Sequence, residues 1–201
     1  MGAVIPKIKT TDKIVRKKLI ETLIESNDTL GVIEEFEVAR GKARADVVCV
    51  ANGMIHAYEI KSDVDTLLRL PRQIRYYNQV FSTVTLVVGA EHVIEALYVI
   101  PDWWGVIVAE MDEDGLRLNQ IRQVGHNNHI DYASISDLLS KNELVEVLSS
   151  RSEYGSYYAM SKPKLVNEVQ KEMTKESFIG QLSSTLLSRN GRVLSALEVA
   201  L

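Results

Sequence analysis

The dipeptide Asn52-Gly53 constrains this chain more than any other feature. It sits between two runs rich in apolar and β-branched residues, Ala43 to Ala51 and Met54 to Lys61. Both central residues of a tight two-residue hairpin turn need positive φ, which Asn and Gly tolerate best, so the pattern predicts a β-hairpin. The loop fixes the register. Ala51 pairs with Met54, Asp46 then falls opposite Glu59, and Arg44 falls opposite Lys61. Side chains alternate faces along a strand, so Glu59 and Lys61 share a face with Asp46. Directly opposed like charges destabilise a sheet. Two carboxylates placed so closely call for a cation between them. Mg²⁺ suits such a site, because it takes oxygen ligands and is commonly held by one or two carboxylates, waters and phosphates. A Glu-x-Lys in a strand is also an ordinary solvated pattern, and the opposed Asp46 is what separates the two readings.

Asp46, followed on the next strand by Glu59-Ile60-Lys61, resembles the metal-site motif of the restriction-endonuclease-like superfamily, the PD-(D/E)XK nucleases. Ala45 stands where the superfamily name has Pro. The stretch Tyr58-Glu-Ile-Lys-Ser-Asp63, with Asp65-Thr-Leu and Arg69-Leu-Pro-Arg-Gln73, is similar to one bacterial branch of that superfamily. The resemblance covers about residues 12–90. It implies that Asp46, Glu59 and the main-chain carbonyl of Ile60 hold Mg²⁺, with Mn²⁺ as an acceptable substitute. It further implies that Lys61 orients the attacking water. A third carboxylate is expected from Glu35, with Glu21 on the preceding helix as the other candidate; a solvated Glu21 near Lys17 and Lys18 is the plain alternative. Gln73 and Tyr77 are four apart and share a helix face. By resemblance Gln73 points to the active site, while a surface Gln beside a packed Tyr stays open.

Composition sets the outer bounds. With 201 residues, 46% hydrophobic and 25% charged, the chain can hold one full core, or one core and a small helical appendage. The single cysteine, Cys49, cannot form an internal disulfide, and a buried thiol in a reducing cytoplasm fits it. No signal peptide and no stretch of membrane-spanning length is evident. The net charge of −4 does not advertise a nucleic-acid binder, but its distribution is uneven. Residues 1–81 hold 13 Lys and Arg against 11 Asp and Glu; the rest hold 10 against 16. Basic clusters fall at Lys7–Lys18, at Arg40, Lys42 and Arg44, and at Arg69, Arg72 and Arg75. Local clusters are what contact phosphates, so Arg44, Arg69, Arg72 and Arg75 are the candidate DNA contacts. Solvated faces are the alternative for each.

Taken in order, the chain predicts a helix from Thr10–Asp12 to Ser26 with an apolar stripe of Val15, Leu19, Ile20, Leu23 and Ile24. A strand follows over Val32–Val38, with Val32, Phe36 and Val38 on one face and Ile33, Glu35 and Glu37 on the other. After the hairpin, Pro71 opens a helix to about Phe81. Thr83–Gly89 is a continuous apolar run, expected as a strand buried on both faces. Glu91–Ile100 reads as a short helix. Gly105–Met111 and Leu116–Arg122 read as a strand pair. Trp103-Trp104 is expected to pack, with base stacking as the remoter reading. His126 and His129 lack a zinc ligand pattern and are expected in a loop. Helices are expected over Ser134–Leu148, Lys164–Met173 and Lys175–Ser188, closed by Asn190-Gly191, with a last one from Val193.

The expected fold is α/β: a restriction-endonuclease-like αβββαβ core with a mixed central sheet flanked by helices over 1–130, and a helical C-terminal extension over 131–201. The expected function is Mg²⁺-dependent hydrolysis of DNA phosphodiesters in a repair, defence or mobile-element setting. DNA is the expected partner, and cutting both strands would favour a homodimer. The competing expectation is a DNA- or partner-binding module that keeps the scaffold without chemistry; a nuclease-like toxin subunit is a third.

Overall fold

The structure, a computed structural model, describes residues 8–26, 29–150 and 157–190. Its elements begin with α1 (Asp12–Glu25), β1 (Thr29–Val38), β2 (Ala43–Ala51), β3 (Met54–Lys61), α2 (Leu70–Tyr77) and β4 (Thr83–Gly89). Then come α3 (Val93–Val99), β5 (Gly105–Asp112), β6 (Gly115–Arg122), α4 (Tyr132–Ser136), α5 (Lys141–Ser149), α6 (Lys162–Glu172) and α7 (Lys175–Asn190). The strands form one open six-stranded sheet in the order of the chain. β1, β2 and β3 run antiparallel; β3, β4 and β5 are parallel; β6 returns antiparallel to β5. The parallel steps need crossovers, and α2 and α3 supply them.

The hairpin forms as its sequence demands. Asn52 and Gly53 take φ 51° and 69°, and Ala51 pairs with Met54. The ladder continues to Val47–Tyr58 and stops there, so the expected pairs Asp46–Glu59 and Arg44–Lys61 do not form, and Asp46 and Glu59 lie at its open end. Every residue of β4 is buried, so the apolar run is indeed a central strand.

Helices cover both faces. On one face α1 lays Val15, Leu19 and Ile20 onto Val32, Val47, Ile60 and Val87. On the other, α2 and the C-terminal helices share one core with the sheet, in which Phe178, Leu182 and Leu186 of α7 join Val48 and Ile55 of the hairpin. Among the described residues no helix is long and apolar enough to cross a membrane.

Several boundaries differ from the expectation for identifiable reasons. The faces of β1 do not alternate throughout: Val32 packs toward α1, but Ile33 and Phe36 both pack toward the opposite core. The phase changes at Glu35, whose φ of 54° lies in the left-handed region. The segment over 134–148 is two helices, because Ser140 caps the second. Its hydroxyl accepts from the Glu143 N–H at 3.3 Å, and the Glu143 carboxylate accepts the Ser140 N–H at 2.7 Å. α2 begins at Leu70, one residue earlier than expected, and stops at Tyr77. Beyond it the Asn127 amide donates to the carbonyls of Asn78 and Phe81, both at 2.8 Å, and fixes them in a turn. The first helix gets no side-chain cap from Thr11; Thr10 instead binds Asp63. The expected helix from Val193 and the close at Gly191 lie outside the described residues.

Asp63 joins three segments. Its Oδ2 accepts from the main-chain N–H and the hydroxyl of Thr10, both at 2.8 Å, and its Oδ1 from the N–H of Glu91 at 3.2 Å. Gly89 lies against it so closely that a Cβ there would come within 2.4 Å of Oδ1 and 2.6 Å of the Asp63 nitrogen. Backbone cannot yield cheaply to such a contact. Gly89→Ala is therefore expected to lower stability by about 1–3 kcal/mol in urea unfolding, the usual cost of overpacking.

Candidate functional site

The ends of β2 and β3 open into a cleft of about 530 Å³ between α1, the β1–β2 turn and α2. Asp46, Glu59, Ile60, Lys61 and Gln73 all line it, so the sequence motif does converge. Glu59 and Lys61 are buried, while Asp46 keeps 19% of its side chain exposed. The Lys61 ammonium donates to Glu59 Oε1 and lies 3.3 Å from the Ile60 carbonyl oxygen. The Ile60 N–H donates to Asp46 Oδ2 at 2.7 Å, which clamps the two strand ends together where the ladder has stopped. α2 completes the arrangement. Gln73 Nε2 donates to Glu59 Oε1 at 2.5 Å, and the Tyr77 hydroxyl lies 2.7 Å from Glu59 Oε2 and 2.6 Å from the Arg44 carbonyl. Residues 73 and 77 are one helical turn apart, which is why both reach one carboxylate.

Burial, reinforced by the charge of Asp46, pushes the Glu59 carboxyl up to about 7. Burial raises Asp46 as well. Tyr77 shows the same tension: its single hydroxyl proton faces two acceptors. When Glu59 is protonated it can donate to Tyr77 while Tyr77 donates to the Arg44 carbonyl, and both side chains are satisfied.

This sets a pH dependence. Glu59 titrates higher in the fold than its ordinary 4.5, so its contribution is full below pH 4.5 and is lost as pH rises through about 7. A shift of that size corresponds to about 3 kcal/mol. Burial holds His56 below its ordinary 6.5, which gives a slope of the opposite sign. The comparison that isolates the carboxyl is thus the intact chain against Glu59→Gln. Urea unfolding without added metal is expected to show the intact chain losing more stability than the variant between pH 4.5 and 7.5.

The donors at this end of the sheet are oxygens: the Asp46 and Glu59 carboxylates, the Ile60 carbonyl and Gln73 Oε1. Gln73 Oε1 is buried and meets no donor, as an oxygen awaiting a ligand would. Protein donors use two of the four lone-pair positions on the Asp46 carboxylate and three of the four on that of Glu59. The oxygen-only set that remains fits a hard divalent ion such as Mg²⁺. Among the described residues no group of three or more His, Cys, Asp or Glu side chains gathers as a metal site.

The third-carboxylate candidates part company. Glu35 lines the cleft but pairs with Arg16 at 2.9 Å and Arg44 at 2.7 Å. Glu21 lies away from the cleft, 3.9 Å from Lys17. Of the basic candidates, Arg44, Arg69 and Arg72 line the cleft together with Lys42; Arg75 does not. Trp104 is fully buried, with its indole N–H on Asn78 at 2.9 Å, and Cys49 is buried too. His126 and His129 fall in the loop between β6 and α4.

Two participants escaped the sequence reading. Arg16 was one of a run of basic residues, yet it reaches Asp46, Asp12 and Glu35. Its i, i+4 spacing from Asp12 marks a helix ion pair, but nothing local signals a contact 30 residues away. Tyr77, placed on one face with Gln73 but given no role of its own, also holds Glu59.

Fold and site together define a mixed α/β protein whose sheet carries, at one end, a cleft of interleaved acidic and cationic groups. Residues 7–199 match the family described as bacteriophage P4 protein cII, and the chain belongs to that family. Protein cII of Enterobacteria phage P4 is 30% identical to it over 118 residues, which is 59% of this chain and 44% of that relative. The match thus spans less than half of the relative's length. Among solved structures, a protein of unknown function from Silicibacter pomeroyi aligns over 62% of this chain and 82% of its own, with 22% identity and a TM-score of 0.39.

Proposed function

We propose that this chain is a Mg²⁺-dependent nuclease that hydrolyses DNA phosphodiester bonds on a restriction-endonuclease-like core. The observation that carries the reading is the convergence of Asp46, Glu59 and Lys61 in one cleft beside the unpartnered Gln73 Oε1. The order helix, three antiparallel strands, helix, parallel strand in α1 to β4 supports it. Asp46, Glu59 and the Ile60 carbonyl would hold the ion. When bound, it supplies Lewis-acid polarisation of the scissile phosphate and a water acidified for attack.

The chain's own groups do the rest. Lys61 has three ammonium protons; with two directed at Glu59 and the Ile60 carbonyl, one can hold the attacking water and offset charge developing on phosphorus. Gln73 fixes the Glu59 carboxylate through its amide nitrogen, and its carbonyl oxygen is left to accept from a water. Lys42, Arg44, Arg69 and Arg72 give the cleft wall cations for the DNA backbone. Cutting both strands of a duplex would favour a homodimer.

A second reading has an observation of its own. Arg16 neutralises Asp46 and Lys61 neutralises Glu59, so the cleft is charge-balanced by protein alone, as a DNA- or partner-binding module would be. A gel assay on supercoiled, single-stranded and branched DNA separates the two. The nuclease reading expects cleavage with Mg²⁺, none with chelator and none from Asp46→Ala. Binding without cleavage of any substrate supports the module, and cleavage undiminished in Asp46→Ala would remove the mechanism.

A further inference from the structure

Arg16 is the most heavily engaged cation of the cleft. Five oxygens lie within 3.1 Å of its guanidinium nitrogens. Two are the Asp12 carboxylate oxygens, at 3.1 and 3.0 Å. Two more belong to Asp46, its carbonyl at 2.7 Å and Oδ1 at 3.1 Å; the fifth is Glu35 Oε1 at 2.9 Å. Four of these contacts are hydrogen bonds and the fifth, to Glu35, is an ion pair, so four of the five N–H donors of the guanidinium are in use. A bidentate grip on an incoming phosphate needs two free N–H groups, which Arg16 does not have. The side chain is only 14% exposed, so it is a built part of the site and not a surface ion pair. Glu35 meets it from a strained, left-handed position in mid-strand, a cost that is normally tolerated only where the surroundings demand it.

Two-metal phosphodiesterases place a second ion about 3.5–4 Å from the first, between shared carboxylates. The carboxylates that would hold such an ion here are those of Asp46 and Glu35, and both are on Arg16. We propose that Arg16 is a resident counter-cation that fills the place between Asp46 and Glu35 and so limits the site to one divalent ion. The inference rests on the reading of Asp46 and Glu59 as holders of that ion. Arg16 is on this view a positioning residue. It fixes Asp46 through both its carboxylate and its carbonyl, and supplies with a permanent charge what a second ion would otherwise bring.

The test counts bound Mn²⁺ from the loss of the free-ion electron paramagnetic resonance signal. The intact chain and Arg16→Lys are expected to bind one ion per chain. Arg16→Gln is expected to bind two, the second disappearing when Glu35→Gln is added. Arg16→Met keeps the aliphatic stem and serves as a second neutral variant should Arg16→Gln fold poorly by near-ultraviolet circular dichroism. Two ions on the intact chain, or one on a folded neutral variant, would overturn the inference and leave the metal reading standing. No ion on any of the proteins would overturn both.

Discussion

Asp46→Ala is expected to lower Mg²⁺-dependent DNA cleavage by about 10³-fold or more while leaving the fold in place, and Lys61→Ala is expected to do the same. The size follows from what each group touches. Asp46 supplies carboxylate oxygens at the open end of the hairpin, and no neighbour can replace them because Glu35 is held by two arginines. The fold should survive, because Asp46 is partly exposed and Arg16 keeps Asp12 and Glu35 as partners after its loss. Lys61→Ala removes a buried cation from beside Glu59, but Glu59 titrates near 7 and can answer by taking up a proton. Glu59→Ala is the poorer probe. It would strand the buried Lys61 ammonium, and breaking a buried pair in that way costs about 3–5 kcal/mol. Glu59→Gln keeps the shape and is the variant to pair with these two. Initial rates on plasmid DNA, with unfolding curves for each variant, check the expectation.

The largest expected effect on stability belongs to Trp104→Ala. Trp104 has no exposure and stacks on Tyr77 at 6.2 Å and 12°, and its indole N–H satisfies Asn78 at 2.9 Å. Truncation would leave a cavity and an unpaired amide oxygen together. Losses of about 3–5 kcal/mol are usual for a buried Trp, and the stranded amide adds to that. Because Tyr77 also binds Glu59, the damage should reach the cleft. Urea unfolding is expected to show the stability loss, and whatever fraction stays folded should cleave more slowly than the intact chain.

The parts of the fold legible in the sequence were those that local chemistry dictates. Asn52-Gly53 announced the hairpin and its register, because few dipeptides accept two positive φ angles in succession. The unbroken run of β4 announced a central strand. The Gln73 and Tyr77 spacing put both on one helix face. What stayed hidden depends on distant parts of the chain. The phase change in β1 occurs at Glu35, where no glycine marks it; the arginines that hold its carboxylate come from α1 and β2. The early end of α2 is set by Asn127, nearly fifty residues on. The break between α4 and α5 was different, since Ser140 and Glu143 carry the capping-box spacing in plain view. At the site, the motif placed the two carboxylates and the lysine in one cleft. It could not show that Arg16 would sit among them, because long-range ion pairs leave no local periodicity.

Calorimetric titration of the purified chain with Mg²⁺ and Mn²⁺ near pH 7, in two buffers of different ionisation enthalpy, tests the central claim most directly. Saturable binding with proton release is the expected result, since Glu59 must give up its proton to serve as a ligand, and that binding should vanish in Asp46→Ala. No heat at millimolar ion, or binding unchanged in Asp46→Ala, would contradict it.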